Sequence, residues 1–218
     1  MDETQLAVQL EHVSKAFGGK RVLDDVNFKI SAGKAFCLLG RSGTGKSVTL
    51  KIMIGLIKSD KGKVSILGNE IQPSDAAKLG ETRKKVGFLF QSGALFDSIS
   101  VAENVAFPLR RHTRKSAKEI RDIVQEKLKE VELEKEGAKM PAELSGGMMK
   151  RAGLARALAL DPELLLVDEP SSGLDQITAS EIYELLLRLK KNRKTTLVVV
   201  THDVVGSREF AEDRKSVV

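Results

Sequence analysis

The chain has 218 residues, 41% of them apolar, with 36 Lys and Arg against 30 Asp and Glu and a formal net charge of +6. That length can bury a large core as one domain, or as one domain with an insertion. No apolar run approaches the ~18 residues of a membrane span, the polar start Met1-Asp2-Glu3-Thr4-Gln5 carries no secretory signal, and a lone Cys37 excludes an internal disulfide and fits a reducing cytoplasm.

Residues 6–13 and 21–30 show partial apolar alternation and are split by Gly18-Gly19. They predict a hairpin with one wet face. Phe17, just before the turn, is either a core aromatic or a ring placed to stack on a base. Ala35 to Leu39 is an apolar run long enough for a buried strand and too short for a helix. Gly40-Arg41-Ser42-Gly43-Thr44-Gly45-Lys46-Ser47-Val48 follows, leading into the apolar-periodic Leu50, Ile52, Met53, Ile54 and Leu56. Strand, glycine loop and helix in that order match the Walker A pattern G-x-x-x-x-G-K-[ST] at Gly40, Gly45, Lys46 and Ser47.

The residue types suit a polyphosphate. Glycines let successive backbone N–H groups face an anion with no Cβ in the way. The helix start adds its unpaired N–H groups and dipole. Lys46 can reach the β- and γ-phosphates, and the Ser47 hydroxyl can take Mg2+. The four fixed positions arise by chance in roughly one chain in a hundred of this length, so later motifs must say which nucleotide enzyme this is.

Further along, residues 61–68 read as a strand and residues 85–90 as a buried strand ending at Gln91. Residues 92–115 read as loop and short helix. Ser116 and Glu119 form a capping box that opens a helix with Ile120, Ile123, Val124, Leu128 and Val131 on one face. Leu144-Ser145-Gly146-Gly147 precedes a helix over 148–160, with Ser145 a good N-cap. Leu164 to Val167 is a fully apolar strand ending in Asp168-Glu169-Pro170, and Asp175 precedes a helix over 178–191. Residues 196–201 form another buried strand, with His202 at its end.

Strands alternating with helices predict a parallel α/β sheet. The Walker loop, Asp168-Glu169 and His202 all fall at strand carboxyl ends, which share one edge of such a sheet, so the three should converge as a catalytic site. The basic runs at 83–85, 110–115 and 190–194 could meet nucleic acid or an anionic membrane surface. Aromatics are scarce and not interleaved with them, so solvated faces and helix ends are the preferred reading and no nucleic-acid partner is expected.

With Leu144-Ser-Gly-Gly147 about 100 residues after the Walker loop and about 20 before Asp168, the chain resembles the nucleotide-binding subunit of ABC transporters over residues 5–212. The resemblance implies an α/β P-loop NTPase core of RecA-like type. An N-terminal antiparallel β subdomain and a helical subdomain over about 92–160 complete the single domain 1–212. It implies ATP and Mg2+ as cofactors. Phe17 would stack on adenine and residues 40–48 would hold the phosphates. Ser47, Gln91 and Asp168 would serve the metal. Glu169 would be the general base, with Lys46, Gln91 and His202 as further catalytic groups. Ser145, Gly146 and Gly147 would reach the nucleotide held by a second protomer, making the working form a head-to-tail homodimer, and Asp175 would be the D-loop residue among the nucleotide-binding positions.

Residues 90–96 and 104–113, together with Met148 in place of the usual Gln and Val48 in place of a second hydroxyl, narrow the resemblance to the Mla-type ATPases. Those power MCE-associated phospholipid transporters. The expected partners are then an integral membrane permease, an MCE-domain protein and a STAS-like subunit, with the chain peripheral on the cytoplasmic face of the inner membrane. The family continues past the switch histidine, whereas Asp213-Arg-Lys-Ser-Val-Val218 is what a common sequencing adapter encodes in one frame. A truncated domain ending at 212 and a non-native tail over 213–218 are therefore expected. The rival readings are a soluble ABC ATPase acting on ribosomes or nucleic acid, a P-loop nucleotide kinase, and an ABC ATPase for another cargo.

Overall fold

The computed structural model describes residues 5–192, 195–204, 206 and 213–216. The N-terminal hairpin forms as expected. β1 (Leu6–Phe17) and β2 (Lys20–Ser31) pair antiparallel through a two-residue turn, Gly18-Gly19, in which both residues have positive φ. Positive φ at both central positions is what a tight hairpin turn demands, and glycine adopts it without a Cβ clash. β4 (Lys61–Ile66) and β5 (Asn69–Glu70) complete a four-stranded sheet in the order β2-β1-β4-β5.

The second sheet is parallel. β6 (Val86–Leu89), β7 (Leu164–Asp168), β8 (Thr196–Thr201), β3 (Ala35–Leu39) and β9 (Asp213–Ser216) lie side by side in that order. Side chains alternate across a strand, so each central strand feeds two cores. Phe36, Leu38, Leu164, Leu166, Val198 and Val200 face the antiparallel sheet and α1 (Lys46–Met53), where Phe28 stacks on Phe36 with ring centroids 5.2 Å apart. Ala35, Leu165, Val167, Leu197 and Val199 face the opposite core, built with α3 (Val101–His112), α4 (Ala117–Glu130), α5 (Gly146–Leu158) and α6 (Gln176–Asn192). Strands buried on both faces explain why these segments read as continuous apolar runs.

Two elements differ from the sequence reading. Residues 92–115 hold a full helix, α3, with its own capping box at Ser100 and Glu103. Pro108 and the basic end Arg110-Arg111-His112 hid it, although Val101, Val105 and Leu109 are buried at helical spacing. α2 (Ala76–Lys84) was not anticipated, because its apolar stripe amounts to Leu79 and little else. Its N-cap Asp75 accepts from the Lys78 N–H, and Arg83 Nε donates to the Ile54 carbonyl at 2.8 Å. All three basic runs reach helix carboxyl ends, with Lys190 and Lys191 in the last turn of α6, where cations complement the dipole. The four residues 213–216 of the expected non-native tail pair in parallel with β3 along one edge of the sheet.

Candidate active site

Register brings the site together. Leu39 pairs with Thr201 and Asp168 with Val200, so the segments after β3, β7 and β8 leave the sheet at one level. The Gly40 N–H also donates to the Thr201 carbonyl. The glycine loop then turns into α1 through Gly43 (φ 81°) and Gly45 (φ 93°). Gly45 admits no side chain, since a Cβ there would stand 2.7 Å from Leu23 Cδ2 and 2.9 Å from the Val22 carbonyl oxygen.

The start of α1 is unlike those of the other five α-helices among the described residues. Asp75, Ser100, Ser116, Ser145 and Asp175 each accept from a first-turn N–H of the helix they precede. α1 begins at Gly45 with no side-chain cap. First-turn N–H groups need an acceptor, and an anion supplies one at a helix N-terminus. Lys46 is 4% exposed, and its Nζ donates to the Gly40 and Arg41 carbonyls at 2.7 and 2.9 Å. That ties down loop carbonyls that would otherwise repel a phosphate. Thr44 closes the loop, donating from its Oγ1 to the Arg41 carbonyl at 2.9 Å.

Three groups meet beyond the loop. Ser47 Oγ donates to Asp168 Oδ1 at 2.7 Å, Lys46 Nζ lies 3.1 Å from Glu169 Oε1, and His202 Nδ1 is 2.8 Å from Glu169 Oε2. The His202 N–H donates to the same Oε2 at 3.2 Å. The expected convergence of loop, acids and imidazole is thus present. Burial pushes the Asp168 carboxyl above the ordinary range; the Ser47 hydrogen bond opposes this and the neighbouring Glu169 adds to it. A buried carboxyl beside a second one calls for a counter-cation.

The donor set suits a small hard cation. Ser47 hydroxyl, Asp168 carboxylate and the Gln91 side-chain carbonyl are oxygen donors of the kind Mg2+ takes. Among the described residues no three His, Cys, Asp or Glu side chains cluster as a metal cage.

A cavity of about 410 Å³ opens here, lined by Ser42, Gly43, Gly45, Lys46, Ser47, Val48, Gln91, Glu169 and His202, with Val22 and Ser172 in addition. Sequence reasoning passed over those last two. Ser172 accepts from Gln91 Nε2 at 3.0 Å, a contact between two loops 81 residues apart that no local pattern reveals. Lys150, also passed over, is 5% exposed behind the cavity.

Other expected site residues stand apart from this cavity. Phe17 is at the hairpin turn, 46% exposed, with Lys15 Nζ 5.2 Å from its ring centroid. Ser145, Gly146 and Gly147 form the start of α5. Ser145 caps the Met148 N–H, and Gly147 packs so closely on Thr178 that a Cβ would come within 2.6 Å of its methyl. Asp175 caps α6, accepting from the Ile177 and Thr178 N–H groups at 3.0 Å and from Thr178 Oγ1 at 2.6 Å.

A parallel sheet whose carboxyl edge carries an uncapped glycine loop, its lysine and a paired aspartate and glutamate defines a P-loop NTPase fold. Residues 23–172 match the family described as ABC transporter, and the chain belongs to it. It is 48% identical over 199 residues to the probable ribonucleotide transport ATP-binding protein mkl of Mycobacterium leprae, covering 91% of this chain and 57% of that one. The chain thus spans little more than half the length of that relative. It is 42% identical to the intermembrane phospholipid transport system ATP-binding protein MlaF of Haemophilus influenzae, covering 92% of this chain and 76% of that one. Among solved structures it resembles the dimeric post-hydrolysis state of the ATP-binding cassette MJ0796 bound to ADP and Pi. The TM-score is 0.88 at 36% identity, over 96% of this chain and 94% of that one.

Proposed function

We propose that this chain binds and hydrolyses Mg-ATP as one half of a homodimer that drives a membrane transporter. The observation carrying the proposal is the meeting of Lys46, the Ser47–Asp168 pair and the Glu169–His202 pair at the uncapped start of α1. Loop amides and Lys46 bind the phosphates. Ser47, Asp168 and Gln91 would hold Mg2+, which would supply positive charge beside the transferred phosphoryl group. Glu169 takes the proton of the attacking water on a carboxylate oxygen, and His202 fixes that carboxylate's orientation through Oε2.

The α5 start carries an anion-binding pattern yet stands outside its own chain's cavity, which supports a role toward a partner's nucleotide. Phe17 and Asp175 are proposed for the same closed dimer. The permease is proposed to dock in a groove of about 590 Å³ between β6 and the helical segment. Its walls include Phe88, Phe90, Phe96, Phe107 and Arg156. Phe96 and Phe107 are each 46% exposed with centroids 4.8 Å apart, an apolar pair suited to a partner helix. No described helix is long and apolar enough to cross a membrane. The MlaF likeness supports attachment at the cytoplasmic face of the inner membrane through the permease, with an MCE-domain protein and a STAS-like subunit completing the proposed assembly.

The proposed cargo is phospholipid, on the MlaF likeness and the residue runs 90–96 and 104–113. The mkl likeness favours a second reading, a different cargo such as the ribonucleotide in that protein's name. Glu169→Gln tests the enzyme: turnover should fall by about 10²–10⁴-fold while ATP binding persists and dimer accumulates. Unchanged steady-state hydrolysis would remove Glu169 from the role. Isolating the chain with its permease and extracting the complex separates the cargoes. Bound phospholipid supports the first, and bound nucleotide beyond the ATPase stoichiometry the second.

A further inference from the structure

Beside the two carboxylates lies a buried cation with no role in the steps above. Lys150 sits one turn into α5, and its Nζ donates to the Gln91 carbonyl and, at 3.1 Å, to the Glu169 carbonyl. Those acceptors belong to different loops, one after β6 and one after β7. α5 grips the first loop at other points as well. Arg156 donates to the Ala94 and Gly93 carbonyls at 2.8 and 3.0 Å, and a Cβ on Gly93 would stand 2.9 Å from the Met149 carbonyl oxygen.

Glu169 needs such support. Its φ of 47° is in the left-handed region, which an L-residue with a long side chain holds only when its surroundings impose it. Its N–H donates to the Val200 carbonyl at 2.9 Å, and its own carbonyl accepts from Ser172 N–H at 3.2 Å and from Lys150. An ammonium has three donors and no acceptor, and a buried one persists only with partners. Burial pulls the Lys150 pKa below the ordinary lysine value, and the charges of Asp168 and Glu169 pull it back up.

We propose that Lys150 is a positioning residue that clamps the backbone carbonyls of Gln91 and Glu169, setting the spacing of the two catalytic loops and joining them to α5. Because α5 begins at Ser145–Gly147, a displacement of that helix by a partner is transmitted to Glu169 in the same chain. The inference rests on the ATPase reading for its kinetic consequence, while the clamp itself is readable without turnover.

The test uses the full chain with Lys150→Met and Lys150→Arg, measuring kcat, KM and hydrogen–deuterium exchange. Loss of two charge-assisted hydrogen bonds should lower kcat of Lys150→Met at least about tenfold with KM within about twofold. Exchange should rise together at 89–94 and 169–173 and stay unchanged at 40–50. Lys150→Arg, which keeps the charge and the donors, should restore both readouts. A kcat within about twofold of the parent, KM rising in step with the loss of kcat, or loosening of one loop alone would overturn the clamp. If Lys150→Met does not fold, Lys150→Gln is judged by the same criteria. A parent chain that turns over no ATP overturns the functional reading, and the exchange pattern then decides the clamp alone.

Discussion

In the helical segment the helix starts follow the local rules, with Pro108 inside α3, buried Lys127 in α4 and left-handed Ala94 and Glu132 as single exceptions. Ser100 and Glu103 cap α3 reciprocally, Ser116 and Glu119 do the same for α4, and fully buried Asn104 accepts from Phe96 N–H and donates to the Phe96, Ile99 and Ser100 carbonyls. At the carboxyl edge of the parallel sheet the rules are broken. Glu169 is left-handed, Asp168 and Glu169 are buried side by side, Lys46 and Lys150 are buried with them, and α1 starts without a cap. Sequences are consistent across levels except where function demands otherwise. The concentration of such departures around one cavity marks the edge as a site and the helical segment as scaffold.

Changes at the edge should cost function, and changes in the scaffold should cost stability. Lys46→Ala should have the largest effect on binding, weakening ATP affinity about 100-fold, or roughly 2.7 kcal/mol, by removing a charged donor to phosphate. Equilibrium binding would measure it, and an affinity within a few-fold of the parent would break the contrast. Asn104→Ala should leave the affinity alone and destabilise the fold by about 2 kcal/mol, because it orphans the 96–100 loop carbonyls it serves. In a chain of this size that is a fall in Tm of about 4–8 °C. Ser116→Ala should cost about 1 kcal/mol through its cap alone, again without touching turnover.

The smallest change in stability sharpens the comparison most, since there a loss of function should come with no loss, or a gain, in stability. The Asp168 pKa is raised in the folded chain, so the native state binds its proton more readily than the unfolded state does. Its stabilising contribution is fully present below the ordinary aspartate pKa and is lost as pH rises through the raised value. Denaturant titrations without Mg2+ should show stability falling across that window. Asp168→Asn should flatten the fall and match or exceed the parent's stability at neutral pH, while Mg-dependent turnover collapses. A stability loss in Asp168→Asn at neutral pH would contradict the assignment.

The sequence by itself determined the glycine loop, the paired acids after an apolar strand, the imidazole after another, and their sharing of one sheet edge. Those follow from strand length, residue type and the geometry of parallel pairing, all of which are local or nearly so. It also held the α3 signal, Val101, Val105 and Leu109, which Pro108 and the basic end outweighed. Only tertiary structure decided that Ser172 meets Gln91, that Lys150 spans two loops, and that Glu169 takes a left-handed backbone. These depend on contacts between segments up to 81 residues apart, whose partners are chosen by how α5 and α6 pack on the sheet. A lysine in a helix reads the same whether it faces water or the carbonyls of a buried turn.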